Sequence, residues 1–248
     1  RSSRYDGSSF VTYAIEDGLA DHRVTSLEED RQGHLWIGTY DGLSRYDGEQ
    51  FITHTVANGL AGNGVNRLIV DQSGHLWIGT MGGGLSRYDG ASFLAYTKKD
   101  GLAGDNVLSL LEDRSGHLWI GTQGGGLSRY DGEQFVTYST KDGLAGAVVT
   151  SFLEDRSGNV WIGTAGKGLS RYDEKSFVTY SMEDGLAGNI VTSFFADQAG
   201  YVWIGSEGGL SRYDGEQFVT YTVADGLAFN FVHALLQDKA GHLWIGTW

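Results

Sequence analysis

Residues 116–122 read GHLWIGT, and the same phrase, intact or slightly altered, stands at 33–39, 74–80, 158–164, 200–206 and 241–247. Its tryptophans, Trp36, Trp77, Trp119, Trp161, Trp203 and Trp244, are separated by 41, 42, 42, 42 and 41 residues. A period of that length marks one supersecondary unit copied in space. The copies can be read against each other: what recurs is scaffold, and what varies is free to carry function.

One copy, from Val107, runs VLSLLED, RSGHLWIGT, QGGGLSRYDG and EQFVTYSTKDGLAG. These are four strand-like runs with period-two alternation, separated by turn signals. The first is apolar through its middle and reads as a strand buried on both faces. It closes on Asp113, equivalent to Asp30, Asp71, Asp155, Asp197 and Asp238, where a tight turn begins. Asp131-Gly132, between the third and fourth runs, is a hairpin signal. Asp17, Asp100, Asp142, Asp184 and Asp225, with Asn58 in the remaining copy, precede Gly-Leu in the connection between copies and read as Asx turns.

Four antiparallel strands in about 42 residues predict a propeller blade. The fold class is therefore all-β, a six-bladed β-propeller spanning residues 1–248 as one domain. Each Trp, burying roughly 150–250 Å² between blades, contributes at most about 4–6 kcal/mol. The chain opens on strands three and four of a blade (SSRYDG, SFVTYA) and finishes on strands one and two (VHALLQD, GHLWIGTW). A closing blade shared two plus two by the termini would seal the ring and remove its open edges.

The 248 residues include no Cys and no Pro, so there is neither a thiolate site nor a disulfide, and 39 Gly do the turning. The formal net charge of −13 amounts to about two negative charges per copy and opposes nucleic acid or an anionic membrane as partner. No apolar run approaches the roughly 18 residues of a membrane span. A start at Arg1 without Met reads as a segment of something longer or a recombinant piece.

Each recurring polar residue has a scaffold reading. His34, His75, His117 and His242 precede Leu-Trp, but Asn159 and Tyr201 hold the same place, so turn packing is preferred to metal binding. Arg4, Arg45, Arg87, Arg129, Arg171 and Arg212 lie in SRYD and are expected to pair with the following Asp or a neighbouring blade. Six equivalent carboxylates do not make the unique acid–base pair of a catalytic cleft. No catalytic residue, metal or cofactor is expected.

Function is sought where the copies differ. Turns one-to-two and three-to-four share one face and are nearly constant; connections two-to-three and four-to-one share the other and vary. The residues entering each first strand are 21–23 (DHR), 62–64 (GNG), 104–106 (GDN), 146–148 (GAV), 188–190 (GNI) and 229–231 (FNF). The predicted ligand-binding residues are His22, Arg23, Tyr40, Asn63, Asp105, Asn106, Asn189, Phe229, Asn230 and Phe231, around the central opening. Aromatics with Asn, Asp, Arg and His suit a small polar ligand, a carbohydrate or a peptide. His22, Arg23, Tyr40, Phe229 and Phe231 depart furthest from the Gly-Asn consensus and stand first among them.

The phrases D-x-x-G-x-L-W-I-G-T, G-G-L-S-R-Y-D-G, F-V-T-Y and D-G-L-A resemble the two-component-regulator propeller repeat along essentially the whole chain. That resemblance implies the extracytoplasmic, periplasmic sensor part of bacterial hybrid histidine kinases, several of which respond to carbohydrates. The leading reading is a noncatalytic scaffold or a ligand- or protein-binding module. A second is a highly repetitive engineered or excised propeller with no biological ligand, although substitutions and loop-length differences fit recent natural blade amplification better. A third is a lyase-like propeller enzyme using His22 or His233, beside Asp21 and Glu28. A monomer is the expected state, with a strand-exchanged oligomer as the alternative.

Overall fold

The computed structural model describes residues 2–248, which form strands, turns and six single-turn 3-10 segments. The first complete blade is β3 (Val24–Glu29), β4 (Leu35–Thr39), β5 (Gly42–Tyr46) and β6 (Phe51–His54). The second is β7 (Val65–Val70), β8 (Leu76–Thr80), β9 (Leu85–Tyr88) and β10 (Phe93–Tyr96). Three more follow: from β11 (Val107–Glu112) to β14 (Phe135–Tyr138), from β15 (Val149–Glu154) to β18 (Phe177–Tyr180), and from β19 (Val191–Ala196) to β22 (Phe218–Tyr221). Each is an antiparallel meander in chain order. The sixth blade is contributed two plus two, by β1 (Ser2–Tyr5) and β2 (Phe10–Tyr13) from one end and β23 (Val232–Gln237) and β24 (Leu243–Thr247) from the other. This is the expected propeller.

Within the shared blade, β1–β2 and β23–β24 are two two-stranded sheets, with no pairing between β24 and β1 among the described residues. Each hairpin stays with its neighbour in sequence: β23 packs on β19, while Tyr13 of β2 lies on Tyr46 and Phe51 of the first complete blade. The shared blade is thus present as its two halves, one from each end of the chain.

Packing between blades follows from the repeat. In four blades the Trp of the second strand points at the next blade, as where Trp36 meets Tyr88 edge-on at 5.2 Å and Trp119 meets Tyr172 at 5.4 Å. The fourth-strand Tyr of the same blade and the fourth-strand Phe of the next complete the group, as Tyr138 and Phe177 do around Trp119. Trp36, Trp77, Trp119 and Trp161 are at most 3% exposed. Glycine in WIGT makes room for this: a Cβ on Gly121 would strike the buried Val149 of the next inner strand at 2.7 Å. The Leu of DGLA (Leu19, Leu60, Leu102, Leu144, Leu186) plugs the same seam and is buried.

Three local expectations change. The inner strands are not buried on both faces; they line a central channel, and most of their residues are only partly covered. The Asp-Gly hairpins have four-residue loops, in which the Asp131 carboxylate accepts the amides of Glu133 and Gln134, both at 2.9 Å. The Asp of DGLA closes a capping box: Asp100 accepts from the Thr97 amide at 2.8 Å and the Thr97 hydroxyl at 2.9 Å, fixing a single 3-10 turn. Asn58 serves the same turn with its side-chain oxygen, which explains the interchange.

Candidate ligand-binding face

The constant polar residues are consumed by the scaffold. Asp71 accepts the Trp77 indole N–H at 2.8 Å, the His75 amide at 2.8 Å and the Ser73 amide at 2.9 Å, and faces His75 Nδ1 at 3.1 Å. Burial pushes this carboxyl up, but the hydrogen bonds from Trp77 and His75 outweigh it and hold the group below its ordinary value of 3.8. Every GHLWIGT copy repeats the Asp–indole bond, through Asp30, Asp113, Asp155, Asp197 and Asp238. The histidines at this turn support the same Asp, as turn packing requires.

The SRYD arginines depart from expectation. Rather than pairing with the following Asp, Arg45, Arg87, Arg129, Arg171 and Arg212 lie over the Trp of their own blade, 5.7–5.9 Å from the ring centroid. Strand register puts them there: Arg129 is directly opposite Trp119, while Asp131 already holds its loop amides.

The two variable connections do share one face, stitched across each seam. The Gly42 amide donates to the Asn63 carbonyl at 2.8 Å, Gly84 to Asp105 at 2.7 Å, and Gly168 to Asn189 at 2.8 Å. Of the predicted residues, Asn63, Asp105, Asn189 and Asn230 occupy one repeat position, and each side-chain oxygen accepts the amide that starts a 3-10 turn. Those four are ties within the connection. Asn106 is bonded to Gln123 and accepts from Asn66 Nδ2 at 3.2 Å, on the rim.

The other five divide between two flanks. On one, Arg23 lies over the Tyr40 ring at 4.3 Å, with its Nε 3.3 Å from Asp21. Asp21 is held below its ordinary value, chiefly by the Arg23 amide. His22 borders an open cavity of about 330 Å³ with Ala14, Ile15 and Glu16. On the other flank, Phe231 stacks on His233 at 4.7 Å, and Trp248 closes on both, at 5.9 and 4.9 Å. Phe229, two residues before Phe231, is exposed. His22 and His233 line different cavities.

Sequence reasoning missed the second residue of each inner strand. A β-bulge sits there in every copy. The bulged side chain reaches the next blade: Thr25 donates to Val65 O at 2.7 Å, Asn66 to Val107 O at 2.7 Å and Thr150 to Val191 O at 2.6 Å. The sequence carries only a partial signal, because the position is Thr in three copies and Asn in a fourth but Leu108 and His233 in the other two. Inside lies a cavity of about 300 Å³, walled by Arg67, Ser109, Thr150, Thr192, Phe194 and His233, among others. Among the described residues no group of three or more His, Asp or Glu side chains is placed to hold a metal, and no helix is long and apolar enough to cross a membrane.

A radial array of four-stranded antiparallel blades, with Trp36, Trp77, Trp119 and Trp161 buried at the seams between whole blades, defines a β-propeller. The two-component regulator propeller model matches residues 18–41, 59–82, 101–124, 143–166, 185–208 and 226–248, and the chain belongs to that family. Among solved structures, the extracellular domain of the B. thetaiotaomicron system BT4673 is 23% identical with a TM-score of 0.73, over 96% of this chain and 36% of that one. The extracellular domain of the B. thetaiotaomicron hybrid two-component system BT3049 is 21% identical with a TM-score of 0.60, over 94% and 39%. A virginiamycin B lyase from Staphylococcus aureus, crystallised with quinupristin as its H270A form, is 13% identical with a TM-score of 0.72, over 93% and 80%. These likenesses show the fold. The chain spans little more than a third of the extracellular domains it matches. No curated protein matches it in sequence.

Proposed function

We propose that this propeller is a noncatalytic, extracytoplasmic sensor module that binds a small polar ligand, a carbohydrate or a peptide, on its variable face. One observation carries the reading: the side chains that depart furthest from the repeat lie on this single face, while the repeated Asn and Asp beside them are tied into turns. A cation on an aromatic ring (Arg23, Tyr40) and an aromatic platform (Phe231, His233, Trp248) are recognition chemistry for polar rings and peptide groups. The matched extracellular sensor domains support the placement outside the cytoplasm.

Isothermal titration against a panel of oligosaccharides and short peptides tests it. Saturable binding, weakened at least tenfold by Arg23→Ala or Phe231→Ala with the fold intact, is expected. A flat response across the panel would favour a scaffold without a ligand. Turnover of a cyclic depsipeptide, lost on His22→Ala or His233→Ala, would instead make the propeller an enzyme.

A further inference from the structure

Two of the six seams are cut, and the chain carries the missing parts of both. In a whole seam the Trp and fourth-strand Tyr of one blade enclose the third-strand Tyr and fourth-strand Phe of the next, as Trp161, Tyr180, Tyr213 and Phe218 do. Trp203 and Tyr221 stack at 5.9 Å without such a second pair. Tyr5 and Phe10, the residues at the matching repeat positions, pair at 4.8 Å, meet no other aromatic ring among the described residues, and are 58% and 73% exposed. Tyr13, Tyr46 and Phe51 form the converse group, one lacking its Trp, while Trp244 stands 64% exposed. The hydrogen bonds between inner strands also stop here: Thr192 donates to Val232 O, and the series runs no further. β1 and β24 each keep one unpaired edge.

We propose that these surfaces are mutual and that a second copy of this chain fills them, head to tail. In that arrangement β23–β24 of one copy and β1–β2 of the other make one four-stranded blade. Trp203 and Tyr221 of the first receive Tyr5 and Phe10 of the second, and Trp244 of the first settles among Tyr13, Tyr46 and Phe51 of the second. Both halves of every contact are already built, in the register and aromatic order of the four whole seams. An unpaired strand edge beside exposed aromatics is a template for such pairing. A second copy is favoured over the chain's own other end because β24 and β1 stand unpaired in the single chain, and bringing them together would change the packing of the whole seams between them. Those seams are close-packed, with their tryptophans at most 3% exposed, and dense interiors resist such change. A contact between different patches of two copies leaves every existing seam as it is.

Light scattering after size exclusion, over a hundredfold range of concentration, tests the proposal with two variants, Phe10→Lys and Trp244→Lys. Both residues are exposed in the single chain, so the fold of each variant is retained, which circular dichroism checks. The parent is expected to form species of two or more 26.9 kDa chains as concentration rises. Each variant alone is expected to associate more than about thirtyfold more weakly. An equimolar mixture is then expected to form a two-chain species, because the intact tail of Phe10→Lys meets the intact head of Trp244→Lys. A parent that is monomeric throughout, whether Trp244 fluorescence reports it buried or exposed, would overturn the proposal. So would a mixture that forms no species the separate variants lack.

Discussion

His54 shows what one residue does to a seam. Every other fourth strand ends in Tyr at this position: Tyr13, Tyr96, Tyr138, Tyr180 and Tyr221. His54 takes the same place, stacked on Trp36 at 5.7 Å and edge-on to Phe93 at 5.2 Å, but its Nε2 is buried without a hydrogen-bond partner. Burial, with the Arg45 charge adding to it, holds the ring below the ordinary histidine value of 6.5. As pH falls through 6.5 the unfolded chain takes up a proton that the folded seam refuses, so stability declines from about pH 7 downward until the folded ring also titrates. His54→Tyr is expected to raise unfolding free energy by about 1 kcal/mol at pH 7, through the restored aromatic pair. The gain should widen between pH 7 and pH 5, measured by urea unfolding at each pH. A tyrosine in this environment stays neutral throughout; burial and the Tyr213 hydroxyl push Tyr180 up to about 12. That His54 was an exception could be read from the copies. What the exception costs could not, because burial by Trp36 and Phe93 comes from a strand two places away in the sheet and from a neighbouring blade.

At the scale of the element, the three-to-four loop repeats Asp-Gly in every copy but one, where Glu174 replaces the glycine. Its φ of 71° is the one left-handed value on a non-glycine among the described residues, while Gly132 at the equivalent position has φ 102°. The loop holds because Asp173 still accepts the amides of Lys175 and Ser176 and Tyr172 still donates to the Glu174 carbonyl at 2.9 Å. Glu174→Gly is expected to stabilise by about 0.5–1 kcal/mol, and Gly132→Glu to lose a similar amount, in thermal or denaturant unfolding. Four strands per repeat, their order and their turns were legible from alternation and turn residues. The bulge was not, since one extra residue leaves the apolar pattern of Val107 to Glu112 nearly unchanged. The use of the SRYD arginines was hidden for a related reason. Asp131 is nearer to Arg129 in sequence, yet pairing puts Trp119 directly across from it.

For the molecule as a whole, the same repetition that made the fold readable blurred the site. Comparing copies isolates what varies, and Asn63, Asp105, Asn189 and Asn230 were read as ligand contacts because they lie in the variable residues entering each first strand; a hydrogen bond to the amide seven residues earlier leaves no trace in spacing. The closing blade, shared two plus two by the ends of the chain, was legible from where the repeat phase begins and stops. Stability in such an array is a sum of blade and seam contributions, so it should grade along the chain. The middle blades, bounded by whole seams at Trp77, Trp119 and Trp161, have both neighbours. The terminal hairpins have one each and carry exposed aromatics. Native-state hydrogen exchange at low protein concentration is therefore expected to show the strands around Trp119 and Trp161 opening only with global unfolding, and β1 and β24 opening first, with protection at least a hundredfold lower. Uniform protection from Ser2 to Thr247 would mean that the ends are as well supported as the centre, which a chain with two cut seams does not allow.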